Sequence, residues 1–78
     1  MPLSEIEKEL LEKFGNNIRK IRLAKKWSME HLANKAEIEL SQVYRIEKGK
    51  INTKLTTIVL LSKALEVDLA DLLKNDIV

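Results

Sequence analysis

The sequence predicts an all-α fold of five helices, with a helix-turn-helix between residues 28 and 49. Three observations carry that expectation. Apolar residues recur at three- and four-residue intervals along most of the chain, the period of an amphipathic helix. Only two glycines and one proline occur among 78 residues, while 45% are apolar and 33% charged, the composition of a compact helical domain rather than a disordered one. The stretch from Ser28 to Gly49 reads as two short helices joined by a tight turn, the shape that fits a DNA major groove. One of its helices keeps a polar, partly basic face with no evident reason to be buried.

Ser4 followed by Glu7 forms a capping box, and Ile6, Leu10, Phe14, Ile18 and Ile21 then recur at helical spacing, so a first helix is expected from about Glu5 to Lys25. Gly15 costs about 1 kcal/mol relative to alanine inside a helix, which marks it as a point of kinking or breakage. On that reading residues 1–13 form an extra N-terminal helical arm and residues 14–78 the domain proper. Ser28 is a good N-cap for a second helix from Met29 to Ala36, with Trp27 placed to pack on Leu32 as a hydrophobic staple. In the third helix Val43 and Ile46 face inward, which turns Ser41, Tyr44, Arg45 and Lys48 outward, puts Leu40 on the flank, and leaves Gly49 to supply the left-handed terminating residue. After the polar stretch from Lys50 to Lys54, a fourth helix carries Leu55, Ile58, Val59, Leu60, Leu61, Ala64 and Leu65, more than one apolar stripe holds. Asp68 with Asp71 suggests a cap on a short fifth helix whose Leu69, Leu72 and Leu73 close the core.

The net charge of +2 is too small to imply a polyanionic partner, but its distribution is uneven. Arg19, Lys20, Arg22, Lys25 and Lys26 follow one another with no acid between them, and Arg45, Lys48, Lys50 and Lys54 form a second cluster broken only by Glu47. Both ends of the chain are net acidic. Two basic clusters flanking a helix-turn-helix point to phosphate contact, where one alone would read as a solvated helix face. Cysteine is absent, which excludes a disulfide framework and a cysteine-ligated zinc site and fits a reducing cytoplasm. The longest apolar run, Ile58 to Leu61, is far shorter than the roughly 20 residues a membrane helix needs. No nucleophile elbow, glycine-rich phosphate loop or zinc-binding helix motif occurs, and the single histidine, His31, reads as solvent-facing. The chain is therefore expected to be a non-enzyme with no catalytic residue, metal or cofactor.

Four stretches in order, Ile18-Arg19-Lys20-Ile21-Arg22, Trp27-Ser28-Met29-Glu30-His31-Leu32-Ala33, Arg45-Ile46-Glu47-Lys48-Gly49 and Lys63-Ala64-Leu65-Glu66-Val67, make the chain similar to the phage-repressor and Cro-type helix-turn-helix family, also called Xre-type regulators. The resemblance spans about Phe14 to Leu73. It implies a five-helix, lambda-repressor-like fold whose third helix enters the major groove while the second crosses the backbone. Leu40, Ser41, Tyr44 and Arg45, with Gln42 as a weaker candidate, stand where family members contact base edges. Ser28, Met29, Lys48, Lys50 and Asn52 stand at the phosphate-contacting positions. Arg22 and Glu47 occupy the positions of an ion pair that ties the first helix to the end of the recognition helix.

Three residues depart from the family pattern. Met29 replaces a glutamine whose amide helps hold a phosphate, Glu37 replaces the usual turn glycine, and Glu39 replaces a serine or threonine N-cap. The expected function is a transcriptional regulator that binds double-stranded DNA at a palindromic operator as a homodimer. Val59, Leu60, Leu69, Leu73 and Ile77 are the candidate dimer surface, with Leu3, Ile6, Leu10 and Leu11 as a second. A restriction-modification controller or a phage repressor fits this size equally. The competing class is an antitoxin or adaptor whose main partner is another protein, and a third is sequence-independent binding through the basic clusters alone.

Overall fold

The computed structural model describes residues 3–74 and contains, among them, five helices and no strand: α1 (Glu5–Ala24), α2 (Met29–Ala36), α3 (Leu40–Glu47), α4 (Leu55–Leu65) and α5 (Leu69–Leu73). The capping box at the start of α1 closes in both directions. The Glu7 amide donates to Ser4 Oγ at 3.1 Å, and the Ser4 amide donates to Glu7 Oε1 at 3.0 Å. The helix then runs without interruption through Gly15, so the kink or break expected there is absent and residues 5–13 are the first half of α1. Gly15 is not a breaker because it is a contact point. A Cβ built there would lie 2.2 Å from the Ile46 carbonyl oxygen and 2.7 Å from that of Glu47, so the missing side chain is what lets α1 press against the end of α3.

Ten apolar side chains from all five helices make the core: Phe14 and Ile18 of α1, Leu32, Ala33 and Ala36 of α2, Val43 and Ile46 of α3, Leu61 and Leu65 of α4, and Leu72 of α5. Trp27 packs half-buried at its edge, in the place expected of a staple. Burying a leucine or isoleucine stabilises by about 1.5–3 kcal/mol relative to leaving it in water, so these residues dominate the fold's stability.

The two ends of the chain leave apolar side chains uncovered, and for α5 this departs from the expectation that Leu69, Leu72 and Leu73 all close the core. Ile6 and Leu10 continue the α1 stripe but are 73% and 51% exposed, so this end of the stripe stays open as the candidate surface named from the sequence. Periodicity sets the phase of a stripe, not whether a neighbour covers it. In α5 only Leu72 is buried, while Leu69 and Leu73 face outward, since a helix of five residues offers a single position to the core. Asp68 stands at its N-cap without a side-chain cap bond. The helix is tied down from α1 instead, where Asn17 Nδ2 donates to the Leu72 carbonyl at 3.0 Å and the Lys74 carbonyl at 2.7 Å.

Candidate nucleic-acid interface

Residues 28–49 form the expected pair of helices. Ser28 is the N-cap of α2 and its Oγ accepts from the His31 amide at 3.0 Å. The remaining first-turn amides of α2 point outward without intrahelical partners, as at every helix start, and carry the positive end of the helix dipole. The helix ends on Glu37 at φ 58° and ψ 44°, left-handed backbone that favours glycine. Glu39 precedes α3 and makes no side-chain cap bond, so the weak cap read from the sequence is a fact of the structure. Replacing Glu37 with glycine is therefore expected to stabilise the fold by about 0.5–1 kcal/mol, a rise of several degrees in melting temperature by calorimetry. A fall would show that the Glu37 side chain holds the turn.

The packing of α3 decides what it displays. Val43, Ile46 and Glu47 are buried, so Leu40, Ser41, Tyr44, Arg45 and Lys48 are turned to solvent, with Gln42 half-buried to one side. Leu40, Ser41, Tyr44 and Arg45 line one shallow, open groove of about 630 Å³ together with Met29 and Lys50. An apolar floor with a hydroxyl, a guanidinium and an ammonium is chemistry suited to base edges and thymine methyls beside phosphates. Lys48 Nζ stands 5.7 Å from the Tyr44 ring centroid, close enough for a cation–π attraction that steadies the ring. Gln42 does not line the groove, and Asn52 lies elsewhere, lining depressions beside Leu10 and Leu11 of α1.

Behind this face lies a buried clamp. Arg22 Nε donates to Glu47 Oε2 at 2.7 Å and Nη2 to Glu47 Oε1 at 2.9 Å, a bidentate pair whose side chains are only 7% and 1% exposed. Nη1 donates to the Trp27 carbonyl at 2.7 Å, one residue before the α2 cap. One guanidinium thus joins α1, the start of α2 and the end of α3. The hydrogen bonds that Arg22 donates to Glu47, reinforced by the carboxylate's charge, raise the Arg22 pKa against the opposing effect of burial, so the guanidinium stays charged. The pair was legible in the sequence through the family resemblance. The third bond was not, because its acceptor is a backbone carbonyl that every residue carries.

His31 is exposed as expected, but its ring meets Trp27 edge-on at 4.5 Å. Lys25 Nζ lies 5.3 Å from the same indole. Among the described residues no group of three His, Asp or Glu is placed to hold a metal ion. No helix among them is long and apolar enough to cross a membrane.

Comparison with known proteins agrees with the geometry. Residues 18–72 match the family model described as helix-turn-helix, of the Xre and Cro/C1 type. The chain is 41% identical over 61 residues to the control protein C.BamHI of Bacillus amyloliquefaciens, covering 77% of this chain and 75% of that protein. Among solved structures it is similar to the restriction-modification controller protein C.AhdI from Aeromonas hydrophila, with a TM-score of 0.78 and 37% identity over 80% of this chain and 94% of that one. It is also similar to the hypothetical transcription factor NHTF from Neisseria, with a TM-score of 0.83 and 29% identity over 97% and 86%. With a recognition-helix face displayed over a buried clamp and a family match across most of its length, the chain belongs to the Xre-type helix-turn-helix family of DNA-binding transcription regulators, which are not enzymes.

Proposed function

We propose that this protein is a restriction-modification controller that acts in the cytoplasm, binding a palindromic operator as a homodimer with α3 of each protomer in the major groove. The observation that carries the reading is the shared groove of Leu40, Ser41, Tyr44 and Arg45, with Lys50 on its rim. The names of two relatives, a control protein and a restriction-modification controller, supply the biological setting.

In this reading Arg45 donates two hydrogen bonds to a guanine edge, Ser41 serves as an adaptable donor or acceptor, and Leu40 with the Tyr44 ring covers a thymine methyl. Gln42, half-buried on α3, is left out of this set because it does not line the groove. The first-turn amides of α2, with Ser28, Lys48 and Lys50, hold phosphates. Met29 serves through its backbone amide, while its thioether adds apolar surface to the groove. Asn52, beside α1, falls outside the phosphate set. The body measures 31 × 27 × 20 Å, a size that lets two copies sit side by side on successive major grooves about 34 Å apart. Half-buried Val59 and exposed Leu60, Leu69 and Leu73 of α4 and α5 supply the apolar surface for that pairing, whereas Ile77 lies outside the described residues.

Two substitutions test the assignment. Arg45→Ala should weaken operator binding by about 1–3 kcal/mol and relax the preference at one base pair, whereas Lys50→Ala should weaken binding to every sequence alike and flatten the salt dependence by about one unit. Titrations of matched and single-mismatch duplexes distinguish the two. Equal loss on all duplexes for Arg45→Ala would remove it from the reading set.

A further inference from the structure

The two lysines that follow the recognition helix face an acidic wall. Gly49, at φ 69°, is seated directly on α1, where a Cβ would lie 2.7 Å from Glu12 Cα and 2.8 Å from Glu12 Cγ. Glu5, Glu9 and Glu12 fall on one face of α1. With Lys8 they form one side of an open depression of about 470 Å³ whose other side is Lys48, Gly49 and Lys50. Glu5 and Glu9 are partly neutralised, by Lys8 at 3.8 Å and Lys13 at 3.0 Å. Among the described residues Glu12, Lys48 and Lys50 belong to no ion pair within 4.0 Å. Glu12 is therefore the carboxylate whose charge is least compensated and whose backbone is closest to the turn.

The backbone beneath this wall is packed closely against the end of α3 and the turn after it. Gly15 against the Ile46 carbonyl and Gly49 against Glu12 lock this part of α1 to the end of α3 on both sides. Resting on the DNA-binding role proposed above, we propose that this face of α1, Glu12 above all, sets the overall affinity for DNA by competing with phosphates for Lys48 and Lys50. Unit charges a few ångströms apart interact appreciably even in water, and the screening length is about 10 Å at 0.1 M salt. A carboxylate held beside the phosphate path therefore lowers binding to any sequence, most strongly at low salt. Because the effect acts on the backbone and not on base edges, it leaves the order of sequence preference intact.

The test is Glu12→Gln, alone and with Glu5→Gln and Glu9→Gln, titrated with an operator and an unrelated duplex at 50 and 200 mM salt. Glu66→Gln at the end of α4 matches Glu12→Gln in net-charge change, and thermal melts check the fold of each variant. The triple variant should bind both duplexes about three- to tenfold tighter at 50 mM, with a salt slope steeper by about one unit and the gain shrinking at 200 mM. Glu66→Gln should gain less than Glu12→Gln, and adding Lys50→Gln to the triple variant should remove most of its gain. Unchanged or weaker binding by folded variants, with the wild type binding normally, overturns the inference. Failure of the wild type to bind either duplex at 50 mM overturns the DNA-binding reading beneath it.

Discussion

Arg22→Ala is expected to destabilise the domain by about 3–5 kcal/mol, because it strands the buried Glu47 carboxylate and the Trp27 carbonyl without donors. A domain of this length holds only about 4–12 kcal/mol in total, at 0.05–0.15 kcal/mol per residue, so the variant should lose at least about a quarter of its stability. The wild-type pair is not itself a large net source of stability, since desolvating two charges offsets much of their attraction. Its larger effect is orientation, because the guanidinium holds the start of α2, which presents phosphate-binding amides, and the end of α3, which presents the groove. Urea unfolding of Arg22→Met, Glu47→Leu and the double variant separates the two effects. Each single change should be costly, and the double variant should recover much of the stability while binding operator more weakly than wild type. Additive stabilities, with no coupling between the two positions, would contradict the clamp. So would full operator affinity in the folded double variant.

Gly15→Ala carries the second large effect, and its sign runs against helix propensity. Alanine is favoured over glycine in a helix interior by about 1 kcal/mol, so propensity alone predicts a more stable protein. The new methyl would fall 2.2 Å from the Ile46 oxygen, and 2.7 Å and 2.9 Å from the Glu47 oxygen and carbonyl carbon. Those are backbone atoms at the end of the recognition helix and cannot rotate away. Overpacking of this kind costs about 1–3 kcal/mol and occasionally more, and here it should outweigh the propensity gain. With about 4–8 °C of melting temperature per kcal/mol for a domain this size, calorimetry should read a clear drop. Operator affinity should fall with it, because relief of the clash shifts α3. A rise in melting temperature would mean that α1 and α3 are not in close contact.

Gly15 also shows where sequence reading reaches its limit. Its place inside a helical pattern reads as a defect until the neighbouring helix is known, since close approach is a property of two elements and spacing along one chain reports only one of them. The same reason explains Leu69 and Leu73, which keep helical phase with Leu72 yet lie exposed, because phase along one helix does not report how much of it a neighbour covers. Capping is more local and was correspondingly more legible. Ser4 with Glu7 and Ser28 cap as their spacing predicts, and Glu37 and Glu39 depart from good turn chemistry where the sequence says they should. Asp68 is the exception, and the bonds from Asn17 that hold α5 end on backbone carbonyls, which leave no sequence signal.

For the candidate interface, the residues turned outward by Val43 and Ile46 follow from period alone, and four of the five base-reading candidates share one groove. Gln42 does not, because its place on α3 turns it half-buried to one side, and Asn52 lies elsewhere because the loop after α3 is seated against α1 at Gly49. The acidic face of α1 beside Lys48 and Lys50 was visible in composition only as a net-acidic end. Its bearing on the lysines appears once the helix is seen to run past the turn.

Selecting bound duplexes from a random pool and sequencing them decides whether α3 reads a two-fold symmetric DNA site. The expected motif has two inverted half-sites with centres about one helical turn apart, and Arg45→Ala loses selectivity at one symmetric pair of positions. Enrichment of no motif, together with binding that depends on salt alone, would contradict it.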